Sequence, residues 1–102
     1  MTYIVTIKRS DRKNKKFVAI INEKEKVHFG GSGYADFTVH KDEKKRKHYI
    51  ARHKGLKENW GVTGIKTAGF WSRWLLWNKE SLEDSRKDIE KKFPRVNILF
   101  RM

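Results

Sequence analysis

The chain has 102 residues, with 25 Lys and Arg against 12 Asp and Glu, which leaves room for one domain carrying a formal charge of +13. No apolar run approaches the roughly 20 residues of a membrane span, and 13% aromatic residues, four Trp among them, are foreign to a disordered chain. The absence of Cys excludes a disulfide framework and thiolate metal sites.

Tyr3–Ile7 and Phe17–Ile21 are β-branched and aromatic runs, separated by polar residues that suit a hairpin with a loop longer than two residues. Met1 to Val5 alternate like a strand and lack the apolar core of a signal peptide, so an intracellular setting is expected. A third strand, Lys26–Phe29, follows the turn Asn22–Glu25, and Gly30-Gly31-Ser32-Gly33 then breaks regular structure. Asp42 caps a predicted helix from Glu43 to Lys54, with Gly55 ending it. Its apolar stripe is narrow, Tyr49 and Ile50. Leu56 to Thr67 reads as irregular. A second helix is predicted from Ala68 to Trp77, with Phe70, Trp74 and Trp77 at i, i+4 and i+7 and Trp74 the most buried. Ser81 caps a third, acidic in its first turn and basic in its last, which Pro94 stops. Leu82, Ser85, Ile89 and Phe93 form its inward stripe, and Val96–Phe100 reads as a last strand. The expected fold is α+β, a small antiparallel sheet in the order β-β-β-α-α-α-β with helices packed on one face.

Few residues offer chemistry. Gly30–Gly33 lacks the Lys and hydroxyl pair of a phosphate loop and reads as a turn. His28, His40, His48 and His53 contain no i, i+4 pair, so no metal site is expected. His40 with Asp42, or His53 with Glu58, would order a loop. Asp36, His40, Asp42 and Glu58 form a candidate general-acid cluster, but no nucleophile with a neighbouring base accompanies them, so neither enzymatic activity nor a cofactor is expected.

Positive charge is the remaining signal. An isoelectric point of about 10.2 makes polyanions the expected partners, and residues 41–59, with eight basic and three acidic side chains, are the densest stretch. Lys44, Lys45, Lys47, Arg52 and Lys54 on the first helix are the leading candidates for phosphate contacts. Arg12, Lys13, Lys15 and Lys16 of the hairpin loop are the second set. Trp60, Trp71 and Trp77 are candidates for stacking on bases or anchoring a protein partner.

A string of motifs resembles a known family: Val27-His28-Phe29-Gly30, Gly33-Tyr34-Ala35-Asp36-Phe37-Thr38, His40-Lys41-Asp42, Ala51-Arg52-His53-Lys54, Glu58-Asn59-Trp60, and Thr67 through Lys79 with its Gly69-Phe70-Trp71-Ser72-Arg73-Trp74 centre. It is similar to short basic proteins of unestablished function encoded by nucleocytoplasmic large DNA viruses, the giant viruses. The resemblance runs from about Val27 to Phe93. Glu43 and Glu80 stand where that family often has Pro; both are helix starts, where either residue is acceptable. The resemblance implies no catalytic or ligand residues. It implies a viral setting, in the virion or in the infected host cell (cytoplasm or viral factory). Two functions are therefore expected in turn: a nucleic-acid-binding protein that coats or compacts a viral genome, or a minor virion protein that cements capsid or other virion proteins through an exposed apolar surface. Neither involves a membrane.

Overall fold

The computed structural model describes residues 2–102, so Met1, where the predicted Met1–Val5 alternation begins, lies outside the described residues. Strands β1 (Tyr3–Arg9), β2 (Lys15–Ile21) and β3 (Glu25–Gly31) form an antiparallel meander. Asn22 and Glu23 both take positive φ (53° and 59°) and Lys24 N–H donates to the Ile21 carbonyl at 3.1 Å, so a turn of hairpin twist forms within the three-residue loop between Ile21 and Glu25.

The last strand, β4 (Val96–Phe100), pairs with β1 and completes a four-stranded sheet in the order β3-β2-β1-β4. It runs parallel to β1, with Tyr3 opposite Val96 and Ile7 opposite Phe100, so the sheet is mixed where an antiparallel one was predicted. The reason lies in the preceding helix. It delivers the chain to the end of the sheet where β1 begins, and Tyr3 N–H donates to the Arg95 carbonyl at 2.7 Å. One outward N–H of β4 is covered as well, since Ile98 N–H donates to Glu90 at 2.9 Å, and Glu90 is held by Arg86.

Four helices follow the meander: α1 (Phe37–His40), α2 (Glu43–Gly55), α3 (Ala68–Trp71) and α4 (Leu82–Lys92). The short α1 was not predicted; its cap is the buried Asp36, which accepts from Thr38 N–H and from Lys16 Nζ at 2.8 Å. The end of α2 also differs from expectation. The helix includes Gly55, and the left-handed residue that turns the chain is Lys57, at φ 59°. Within the predicted irregular stretch Val62–Gly64 forms a single 3₁₀ turn, where a Cβ on Gly64 would stand 2.1 Å from the Asn59 carbonyl oxygen. Ser81 caps α4 by accepting from Asp84 N–H at 3.0 Å, as predicted, and Ser85 and Ile89 point inward.

After Trp71 the helix widens. Ser72–Leu76 forms a π-turn in which Trp77 N–H donates to the Ser72 carbonyl, five residues back, at 3.0 Å. The inserted residue moves the apolar stripe on by one position. Phe70, Trp71, Leu75 and Leu76 are buried, while Trp74 and Trp77 are half-buried at the margin. Trp71, not Trp74, is the buried tryptophan. Its indole lies 6.2 Å from the Phe29 ring and donates to the Ile65 carbonyl at 2.7 Å, which pins the 56–67 segment to the core.

The core lies between α3 with its π-turn, α4, and one face of the sheet bearing Val5, Ile7, Ala19, Ile21, Val27 and Phe29. Among the described residues, no helix covers the other face. There the register sets Lys26, Ile20, Thr6 and Leu99 in one row and His28, Val18 and Lys8 in the next. The expected packing of helices on one face therefore holds for α3 and α4, whereas α2 contributes no buried residue.

Replacing Trp71 with Ala should cost about 3–5 kcal/mol in equilibrium denaturation, as for other large core aromatics. Trp74→Ala should cost less, since its ring keeps an accessible edge; an equal loss would mean that the π-turn does not set the burial.

Candidate nucleic-acid interface

Helix α2 carries six Lys or Arg and one Glu. Lys44, Lys45, Lys47, Arg52 and Lys54 are all exposed, and none forms an ion pair among the described residues. Asp42 starts the helix by accepting from Lys44 N–H at 3.0 Å and Lys45 N–H at 3.3 Å. Those amides, Lys45's foremost, hold its carboxyl below the ordinary carboxylate range. The predicted His40–Asp42 pair exists in another form: His40 Nδ1 accepts from the Asp42 backbone N–H at 2.9 Å.

With no buried residue, α2 is attached by its side chains. Tyr49 is the centre of a column of rings, 4.1 Å from His53 on one side and 4.4 Å from Trp77 on the other, the latter within 3° of parallel. His40 lies 5.3 Å beyond Trp77. His53 Nδ1 is 2.8 Å from Glu58, the predicted pair, and Glu58 also accepts from the Trp60 indole at 3.1 Å. Burial pushes the Tyr49 phenol well above its ordinary range, and the Glu58 charge adds to the effect. Arg46 completes the attachment. It donates to the Asn78 carbonyl at 2.9 Å, and its guanidinium lies 5.5 Å from the Phe37 ring centre. Buried Asn78 then passes the link to α4 by donating to Asp88 at 2.7 Å.

The ring column separates two depressions. One, of about 450 Å³, runs between the Gly30–Gly31 bend and α2, with Lys15, Tyr34, His53 and Ser72 on its walls. Gly30 is required there: its φ is 77°, and a Cβ would stand 2.8 Å from Leu76 Cδ1. The other, of about 320 Å³, is bordered by Lys45, His48 and Arg52. Lys45 and Arg52 therefore converge on the column, while Lys44, Lys47 and Lys54 follow a separate stripe of the helix. Arg12 and Lys13 lie in the exposed β1–β2 loop, tied to the Gly-rich bend because Ser32 Oγ donates to the Lys13 carbonyl at 3.0 Å.

Two predicted site residues are unavailable and a third is half covered. Lys16 is engaged by buried Asp36 and is not a free cation. Trp71 is wholly inside the core and can reach neither a base nor a partner. Trp77 is at the groove, but one face of its indole is already covered by Tyr49. Trp60 is half-buried, with Arg73 5.4 Å from its ring centre. That arginine is sandwiched, lying 4.4 Å from the Trp74 ring centre as well, and burial pushes its pKa down. Sequence reading missed Tyr49 and His53 as site residues. Their spacing on a basic helix signalled a shared face but not the ring they would meet.

Residues 5–53 match the model of a family of unknown function, DUF5754. The matched stretch runs from β1 into α2 and includes Lys44, Lys45, Lys47 and Arg52. No curated protein and no solved structure matches the chain. Among the described residues, no group of three or more His, Asp or Glu is placed to hold a metal ion, and no helix is long and apolar enough to cross a membrane.

Two outcomes follow from this attachment. Trp77→Ala should accelerate amide exchange through residues 43–55 while the strands stay protected, because α2 loses its stacking partner but the core does not. A uniform rise across the protein would contradict side-chain docking of α2. Asp88 gives the second. Burial opposes its charge, but the Asn78 amide and Lys92 outweigh that, and its pKa falls below the ordinary 3.8. A folded pKa below the unfolded one adds stability above the unfolded value, lost as pH falls through the folded value. The deficit of Asp88→Asn relative to the parent should therefore shrink in denaturation series run from neutral pH to about pH 3.

Proposed function

We propose that the protein binds nucleic acid without sequence specificity and without enzymatic chemistry, using α2 and the β1–β2 loop to contact phosphates. The observation that carries this reading is that α2 adds nothing buried to the core yet holds five exposed basic side chains, unpaired among the described residues, on a surface fixed by the ring column. A helix kept for stability would present an apolar stripe to the sheet. Lys44, Lys45 and Lys47 also stand in the first turns, where the helix dipole disfavours cations, and this too points to a role outside the fold. The phosphate contacts would release counterions from the polyanion and give affinity that falls steeply with salt. No base-reading motif accompanies the charge, which fits a coating or compacting role. The motifs shared with giant-virus proteins support a setting for this role: the genome of a large DNA virus, in the virion or the infected cell.

A second reading is supported by a separate feature. The uncovered sheet face exposes Ile4 at 45% and Leu99 at 50%, which favours a minor virion protein that joins larger proteins through apolar contact.

The test of the first reading is duplex-DNA binding across a salt series. Removing one phosphate contact should lower the salt slope by about 0.9, so the variant Lys44→Glu, Lys45→Glu, Lys47→Glu should cease to bind at moderate salt. Its melting temperature should not fall, because acidic side chains suit the start of a helix. Parent protein that does not bind at low salt, or a variant that binds as well as the parent, would sink the reading.

A further inference from the structure

The outer face of the sheet has a character that the core and α2 do not share. Ile4 and Leu99 are each about half exposed, and Ile20 and Thr6 lie in the same row as Leu99, so the apolar surface is continuous across three strands. Basic residues occupy its margin: Lys26 ends that row, and Lys8 ends the next. No Asp or Glu occurs in either row, and Asp11, which borders the depression between Lys8 and Lys26, is outnumbered there by Lys8, Arg9 and Lys26. Val18, between His28 and Lys8, is only 6% exposed, so the long side chains flanking it already cover part of the surface.

We infer that this face docks an acidic amphipathic helix of another protein, its apolar stripe on Ile4, Ile20 and Leu99 and its carboxylates toward Lys8 and Lys26. The inference rests on the second reading above and gives that reading a surface and a partner chemistry. Charge selects the occupant. A second copy would bring its own lysines against these and carry a further charge of +13. A nucleic acid finds one small ring there, the His28 imidazole, already engaged with Ser10 Oγ at 2.7 Å, because Tyr3, Phe17, Phe29 and Phe100 all pack toward the core. A helix with apolar and acidic faces satisfies both halves of the surface. The face lies on strands, away from α2, and only its Lys8 end adjoins the β1–β2 loop.

The probe is a helical Leu/Glu peptide of about four turns with a single leucine stripe, titrated by fluorescence anisotropy against the whole protein. Two controls accompany it: a scrambled peptide of equal charge, and a Leu/Gln peptide with the same stripe. Binding should exceed that of the scrambled peptide by at least about tenfold. Amide shift changes should centre on Ile4, Thr6, Ile20 and Leu99. Ile4→Ser with Leu99→Ser, both half exposed and so outside the core, should reduce affinity by about tenfold and leave duplex-DNA binding unchanged. Lys8→Glu with Lys26→Glu should weaken the Leu/Glu peptide and not the Leu/Gln peptide. Equal binding of the two striped peptides overturns the acidic partner and leaves the apolar-contact reading standing. Binding of neither overturns both. Shift changes centred on α2, or equal binding of the scrambled peptide, reduce the effect to general charge attraction and overturn the docking face.

Discussion

The π-turn at Ser72–Leu76 is the constraint on which the arrangement depends. A residue inserted into a helical turn rotates everything after it by roughly 100°. Here that rotation carries Leu75 and Leu76 beneath the sheet and brings Trp77 around to meet Tyr49. A regular helix would bury Trp74 and Trp77 along one stripe and leave α2 with no ring to rest on. One turn thus serves both the core and the attachment of a helix that lies outside it. The wider turn is supported from both sides, by Arg73 donating to the Trp77 carbonyl at 3.1 Å and by Trp74 donating to the Trp60 carbonyl at 2.7 Å.

The molecule separates fold from surface. Apolar burial is concentrated on one face of the sheet, α3 with its π-turn, and α4, with Phe37, Ile65 and Val18 as outliers. What lies beyond is held by polar and aromatic contacts: Lys16 on Asp36 for the Gly-rich bend, Arg46 on Asn78 and Tyr49 on Trp77 for α2, His53 on Glu58 for the loop after it. Several of the 25 basic residues therefore serve the fold, although composition presents them as one population. Arg46, Arg73 and Lys16 are structural, whereas Lys44, Lys45, Lys47, Arg52 and Lys54 are not. Charge density along the chain singles out α2 without telling these roles apart.

The local elements were legible where a local mechanism writes them. Alternation marked the strands, and the side chains of Asp42 and Ser81 marked two helix starts that the structure places within a residue. What was not legible depends on residues far apart in the chain. The parallel direction of β4 follows from where α4 ends, which no property of Val96–Phe100 encodes. The π-turn leaves no mark in Ser72–Leu76, because the same residues suit an ordinary helix, and so the burial of Trp71 was assigned to Trp74. For the candidate interface, the basic helix was readable in Lys44 to Lys54. The ring column was not, since Tyr49 and Trp77 are 28 positions apart and nothing local to either residue marks them as partners.

The Glu90 cap on the edge of β4 bears on how the protein behaves when crowded. A bare strand edge is a template on which another chain extends the sheet, and the risk grows with local concentration. Glu90 occupies the Ile98 N–H where such growth would start, and it is held there by Arg86. Growth at that edge would have to displace a charged side chain from a partnered position. Copies at high concentration can then remain separate particles instead of fusing into a fibre through Ile98 of β4.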